Sequence, residues 1–172
     1  MSEQPRRVNY SAGMILTASD FQAEQEYHRQ MRYLHNRLLH GYGTVAGLDV
    51  VVDGKNVLVS PGLAIDAQGR EIVVTEQMSL SLDPPDRDRR RIRDVAIAWR
   101  EVPEDPAPSP DGTLSFSRWN EEPELSLVLP DSDTSESVVL ARLTWKGRHR
   151  EIDIDLTVRR PLGLATEVPR RV

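Results

Sequence analysis

The chain has 172 residues, of which 38% are hydrophobic and 28% are charged, and this is enough to bury the core of one domain. Its 22 basic and 27 acidic residues give a formal net charge of −5, which argues against nucleic acid as the main partner because phosphate binding requires a basic face. It contains no cysteine, which excludes disulfides and thiolate metal sites.

The N-terminal residues are polar, and they predict a flexible arm over residues 1–9. The sequence shows neither the apolar stretch of a signal peptide nor a run of about 18 apolar residues, so we expect no membrane insertion. We therefore expect synthesis and assembly in the cytoplasm, with an extracellular location only as part of a released particle.

A long capped helix is predicted from Ala18 to His40. Thr17 is the expected N-cap, and Asp20 takes the capping-box position that also suits the helix dipole. Neither glycine nor proline interrupts the segment, and Gly41 follows as the residue expected to end the helix. The apolar side chains fall at helical spacing on one face, and these are Phe21, Tyr27, Met31, Leu34 and Leu38.

This apolar face has two interpretations. In the first, it packs on the sheet of the same chain. In the second, it docks on a partner or on a second copy as a short coiled coil, because most of its residues fit a heptad pattern. The polar side chains between them, Arg29 and Arg32 among them, predict a solvated face. The five apolar residues are our candidate docking residues, and a homo-oligomer stays open.

After the helix the apolar period changes from about 3.6 to about 2, which predicts short antiparallel strands. Asp53-Gly54 is the strongest hairpin signal. The expected product is a meander, or a small partly closed barrel or sandwich, that forms one module with the helix over residues 10–83. The glycines predicted to serve turns or close backbone approach are Gly41, Gly43, Gly47, Gly62 and Gly69.

A second β-region is predicted over residues 94–160, packed on the first, so the fold class is α+β and β-dominated. Residues 102–112 carry four prolines and predict a long loop, and Lys146-Gly147 predicts a hairpin turn. The arginines of residues 87–93 are interleaved with Asp86, Asp88 and Asp94, which favours a salt-bridged connector over an interface with an acidic neighbour. Residues 161–172 predict a tail.

No pattern in the sequence indicates chemistry. His28, His35 and His40 lie seven and five residues apart, whereas two zinc ligands on one helix face need a spacing of about three or four. No GxSxG motif is present, and carboxylate pairs such as Asp153/Asp155 share one face of a strand, as a solvated surface does. We predict no catalytic residue, no metal site and no cofactor.

Three tryptophans leave a second functional class open. Trp99, Trp119 and Trp145, if exposed, can stack on sugar rings. A carbohydrate- or ligand-binding β-module is therefore the alternative hypothesis.

Residues 10–74 combine the capped helix, its glycine turn and a PGxAxDxxGRE hairpin in that order. In this combination they resemble a bacterial module of phage-tail-like contractile injection systems, found among small baseplate- or fibre-associated structural proteins and in the N-terminal parts of longer ones. The residues that carry the resemblance are Gly13, Leu16, Thr17, Asp20, Phe21, Glu24, Gln25, Tyr27, His28, Leu34, His35, Asn36, Arg37, His40, Gly41, Gly43, Gly47, Leu48, Pro61, Gly62, Ala64, Asp66, Gly69, Arg70 and Glu71.

The resemblance implies a non-enzymatic structural or adaptor protein, whose partners are baseplate, tail or fibre proteins of a contractile, virion-like particle. Longer relatives continue into a fibre or receptor-binding region, and the end of this chain after residue 172 favours the adaptor role.

Overall fold

A computed structural model describes residues 5–82, 91–108, 112–146 and 151–162. Within these ranges one helix precedes short antiparallel strands that close no barrel, which confirms the β-dominated α+β class. Residues 83–90, which include residues 86–90 of the connector predicted at 86–93, lie outside the described residues, as do the turn at Gly147, residues 163–172 of the predicted tail and residues 1–4 of the predicted arm. The last two connector residues, Ile92 and Arg93, belong to a strand instead.

The helix and the strands have the following bounds. Helix α1 spans Ala18–His35 and continues into a π-turn, Asn36–His40. The first six strands are β1 (Gly43–Gly47), β2 (Val50–Asp53), β3 (Asn56–Val59), β4 (Gly62–Ile65), β5 (Glu71–Val74) and β6 (Met78–Ser81). The next six are β7 (Ile92–Ala98), β8 (Glu101–Pro108), β9 (Leu114–Glu121), β10 (Glu124–Val128), β11 (Ser137–Lys146) and β12 (Glu151–Asp155).

The first six strands are divided between two three-stranded antiparallel sheets. One has the order β1-β4-β5 and the other the order β2-β3-β6, so β1 reaches its partner β4 across the intervening hairpin. That hairpin turns at Gly54, where φ is 58°, and it pairs Asp53 with Asn56, which confirms the turn predicted at Asp53-Gly54. The glycine provides the left-handed backbone that a tight hairpin requires.

The later strands form a four-stranded antiparallel sheet, β10-β7-β11-β12, and a separate two-stranded ribbon, β8–β9. The loop predicted for residues 102–112 is wrong up to Pro108, because Glu101–Pro108 is a strand paired with β9. Proline has the φ of extended backbone and lacks only its donor, so it is tolerated in a strand whose other edge has no partner. Within the described residues, β9 is the one strand that β8 pairs with.

One hydrophobic core joins strands from both halves of the chain. Leu48, Val57 and Ile72 come from the first half, and Ile97 and Leu140 from the second, and all five are fully buried. No residue of α1 is buried, and none belongs to this core. The sheets therefore build the buried hydrophobic core without a side chain from the helix.

The end of the helix differs from the prediction of a continuous α-helix to His40. The N–H of Gly41 donates to the carbonyl oxygen of Asn36 at 2.9 Å, five residues back, so the last turn is a π-turn. Gly41 then leaves the helix with φ at 80°. No helix in the described part of the chain is long and apolar enough to span a membrane.

Candidate docking surface

Hydrogen bonds between Thr17 and Asp20 fix the start of α1. Asp20 Oδ2 accepts the backbone N–H of Thr17 at 2.8 Å and its hydroxyl at 2.7 Å. The backbone hydrogen bond, and then the side-chain one, hold the pKa of the Asp20 carboxyl below its usual range. The carboxylate therefore stays charged at the positive end of the helix dipole, where it favours helix formation.

The second half of α1 is held to the sheets by polar side chains. Arg29 Nη1 lies 3.3 Å from Glu101 Oε1, and Arg32 Nε lies 3.1 Å from Glu71 Oε2. One turn on, the buried amide of Asn36 donates to Glu71 Oε1 at 2.8 Å. This set of contacts, which we call the polar clamp, is made by the face that the sequence predicts to be solvated.

Trp99 and a buried ion pair extend the clamp into the body of the protein. The guanidinium of Arg70 lies 4.7 Å from the centre of the Trp99 ring, and that of Arg29 lies 5.9 Å from it. Arg70 Nε also reaches Oδ2 of the fully buried Asp66 at 2.5 Å. Guanidinium groups over the face of an indole ring are attracted to it, so Trp99 forms part of the seat of the helix.

The apolar face of α1 points away from this seat. Since successive helical residues are rotated by about 100°, Met31 lies roughly 160° around the helix from Arg29, and Leu34 lies about 160° from Asn36. Phe21 is 54% exposed, Leu34 is 37% exposed and Leu38 in the π-turn is 69% exposed. Tyr27 and Met31 are half-buried.

More exposed apolar side chains flank this stripe at both ends. Ile15 is 88% exposed just before the helix, and Leu39 is 71% exposed in the π-turn. We define the candidate docking surface by the five predicted residues, Phe21, Tyr27, Met31, Leu34 and Leu38. By the same rotation Tyr27 and Leu34 lie within about 60° of Met31, whereas Phe21 lies about 20° from Arg32, on the clamped side, and none of the five belongs to the core.

The predicted cap and turn residues stand where the chain changes direction. Thr17 precedes α1 and Gly41 follows the π-turn, Gly43 begins β1, Gly47 ends β1 opposite Gly62 at the start of β4, and Gly69 lies in the turn before β5. Gly69 has φ at 89°, and a Cβ there would collide with the backbone carbonyl of Tyr33. It therefore lets the β4–β5 turn approach the helix backbone directly.

The histidines of the helix form no convergent set. His28 Nε2 lies 3.0 Å from Glu24 Oε1, and the rings of His35 and His40 lie 5.2 Å apart. In the described ranges, no group of three or more histidine, cysteine, aspartate or glutamate residues is arranged to hold a metal ion.

The three tryptophans lie in different surroundings. Trp99 is covered by the two arginines, and Trp145 packs half-buried against the core. Trp119 in β9 is 67% exposed. A sugar-stacking platform would therefore rest on one of the three.

The polar clamp is the part of the site that the sequence did not predict. Arg29 and Arg32 look like ordinary solvated residues, because their partners Glu101 and Glu71 lie far away along the chain. One local signal was present. Asn36 is a poor helix former inside a segment of good ones, which is typical of a residue kept for its side-chain hydrogen bonds.

No protein-family model matches the sequence, and no curated protein matches it. Solved structures of the type VI secretion baseplate share its fold. A chain of the TssK-TssF-TssG baseplate subcomplex is 14% identical with a TM-score of 0.56, and the alignment covers 89% of this chain and 60% of that one.

Two more structures agree with the first. A chain of the baseplate complex from the type VI secretion system is 13% identical with a TM-score of 0.58, over 89% of this chain and 41% of that one. The crystal structure of TssK is 12% identical with a TM-score of 0.56, over 88% of this chain and 41% of that one. The chain thus spans 60% or less of the length of these structures, and the likeness is one of fold.

Proposed function

We propose that this chain is a non-enzymatic structural component of a contractile, phage-tail-like particle, and that it docks on baseplate, tail or fibre neighbours through the outer face of α1. The observation that carries the proposal is the orientation of the helix. Its polar face is clamped to the sheets by Arg29, Arg32 and Asn36, while its apolar face is left outside the core.

The energetics of the helix support an interface. A helix normally buries its apolar stripe in the core of its own domain, since that burial supplies most of its stability. Here no residue of α1 is buried, although Phe21 and Leu34 are large and apolar. A helix whose second half is held in place and whose apolar stripe is partly exposed is suited to bind another protein, because less conformational entropy is lost when a preformed surface binds.

The likeness in fold supports other proteins of a particle as the partners. The similar structures are parts of a secretion baseplate, an assembly built from protein–protein contacts. Together with the helix-and-hairpin resemblance in residues 10–74, this favours other particle proteins as partners over nucleic acid or a membrane. A second copy of the chain is one of the occupants that the docking surface allows.

The test compares two charge substitutions on opposite sides of α1. Leu34→Asp places a charge on the docking surface, whereas Gln22→Asp places the same charge on an exposed position about 180° from Met31. We expect both purified variants to keep the wild-type melting temperature within a few degrees. We also expect the wild-type chain and the Gln22 variant to be detected by mass spectrometry in particles purified from the source organism, and the Leu34 variant to be lost.

Two results would overturn the proposal. One is the absence of the wild-type chain from purified particles, and the other is normal incorporation of the Leu34 variant. If Leu34→Asp unfolds the isolated chain, Leu38→Asp replaces it, because a side chain that is 69% exposed cannot be a core residue. Unfolding of that variant too would show that the stripe belongs to the fold.

The carbohydrate alternative has one observation in its favour, the exposed Trp119. We place it second because Trp99 and Trp145 are engaged elsewhere. Binding to a glycan array that disappears with Trp119→Ala would reverse this order.

A further inference from the structure

A groove of about 570 Å³ lies away from α1, between the two halves of the chain. Residues 73–78, from the end of β5 to the start of β6, form one wall, and residues 120–123, between β9 and β10, form the other. We call it the acidic groove. Its apolar lining includes Val73, which is 49% exposed, and the half-buried Met78 and Pro123.

The charges on the groove are all of one sign. Glu76, Glu121 and Glu122 line it, and no lysine or arginine does. Within the described ranges none of these three carboxylates is in an ion pair; Glu122 accepts one hydrogen bond, from the Asn120 amide at 3.1 Å. Other glutamates of the protein are paired with arginine, namely Glu71, Glu101 and Glu124. The groove therefore concentrates uncompensated negative charge above apolar side chains.

Two strands that border the groove are the last strands of their sheets. Strand β5 pairs with β4 alone and β6 pairs with β3 alone, so in the described structure each is the edge of its sheet. An edge strand presents N–H and C=O groups that can bind a segment in extended conformation. A second strand laid here would place alternate side chains towards the groove and towards water.

We propose that the acidic groove binds an extended, lysine- or arginine-bearing segment of a partner protein. The apolar floor takes the aliphatic stems of such side chains, the three carboxylates take their charged ends, and the free strand edges take the backbone. A polyanion is repelled from the same surface. None of the groove residues belongs to α1, so this inference does not rest on the proposed function.

The probe is a fluorescein-labelled peptide of eight residues that alternates lysine and valine, and the control probe replaces each lysine with glutamate. Fluorescence anisotropy with the full chain at low salt should show binding of the first peptide alone. The double variant Glu76→Gln/Glu121→Gln should weaken that binding about fivefold, since two exposed ion pairs are lost. A matched variant, Glu136→Gln/Glu151→Gln, changes the net charge equally outside the groove and should bind as the wild type does.

Each other outcome overturns the proposal in a recognisable way. Equal binding of both peptides would mean an apolar surface without charge selection, and equal weakening by both variants would mean attraction by net charge alone. If sedimentation shows that the wild-type chain self-associates and that the groove variant is monomeric, the occupant is a second copy rather than a partner protein. The Leu34→Asp variant should bind the lysine peptide normally, which separates failure here from failure of the proposed function.

Discussion

The side-chain amide of Asn36 donates a hydrogen bond of 2.9 Å to the backbone carbonyl oxygen of Gly69. The same nitrogen reaches Glu71 Oε1 at 2.8 Å, so one buried amide joins the end of the helix to the turn before β5. Because α1 contributes no residue to the core, the position of the helix depends on contacts of this kind.

We expect Asn36→Leu to lower the free energy of unfolding by about 2 kcal/mol, because the carbonyl of Gly69 loses its buried donor. Urea unfolding followed by circular dichroism measures the change. Arg37→Leu is the matched control, since its side chain is exposed, and it should change stability by about 0.5 kcal/mol or less. Equal effects of the two substitutions would show that the amide does not anchor the helix.

Gly69→Ala should be more destabilising than Gly54→Ala, although both glycines have positive φ, 89° and 58° respectively. At Gly54 an added Cβ meets nothing within 4 Å, so the cost is the backbone term alone, about 1 kcal/mol. At Gly69 the Cβ collides with the Tyr33 backbone, and we expect about 2–4 kcal/mol. Thermal unfolding of the two variants gives the comparison, and similar losses would mean that the helix yields easily.

The Asp20 carboxyl should titrate below the usual aspartate range, because it accepts two hydrogen bonds from Thr17. A pKa that is depressed in the folded state stabilises the fold at pH values above the unfolded-state pKa, and this stabilisation is lost as the pH falls through the folded-state pKa. Thr17→Val removes the hydroxyl and keeps the backbone N–H, so the midpoint should move part of the way up.

Carbon-detected NMR titration of the Asp20 carboxyl measures that midpoint. Ser19→Ala is the control, because the Ser19 hydroxyl contacts Thr17 Oγ1 and not the carboxylate. An unchanged midpoint in the Thr17 variant would assign the whole shift to the backbone donor.

The ion pair of Asp94 and Arg142 joins β7 to β11 by two hydrogen bonds, Nε to Oδ1 at 2.7 Å and Nη2 to Oδ2 at 3.0 Å. Arg142→Leu leaves the buried Asp94 without its partner, and we expect a loss of about 2 kcal/mol in unfolding free energy. This is less than for a fully buried pair, because the Arg142 side chain is 34% exposed.

Lys146, on the same strand, provides the control for this pair. Its contact with Asp153 has both side chains 56% exposed, so Lys146→Leu should cost about 0.5 kcal/mol or less. The double variant Asp94→Leu/Arg142→Leu should recover part of the stability lost by Arg142→Leu. If the double variant is less stable than Arg142→Leu alone, apolar residues cannot replace the ion pair of Asp94 and Arg142.

The helix start and the first hairpin could be predicted because their signals are local. Thr17 and Asp20 are three residues apart, and Asp53-Gly54 specifies its own turn. Sheet order could not be read in the same way, because pairing β1 with β4 across the β2–β3 hairpin depends on tertiary packing. The sequence also allowed the apolar face of α1 to be either core or interface, since periodicity identifies a face and not what covers it.

Strand β8 and the polar clamp were not predicted, for two different physical reasons. Prolines usually indicate a loop, and Pro103, Pro106 and Pro108 hid strand β8, whose outer edge needs no donors. The polar clamp was missed because its partners are distant in sequence, for example Arg29 and Glu101.

The π-turn at Asn36–His40 also changes the direction in which the side chains at the end of the helix point. A π-turn takes up one more residue than an α-turn, so the side chains that follow it are displaced by about 100° from the line they would otherwise continue. Leu38 and Leu39 lie inside this turn, so the stripe formed by Tyr27, Met31 and Leu34 changes direction where it reaches them. A partner that covers Leu38 together with Leu34 therefore needs a surface that bends with the end of the helix.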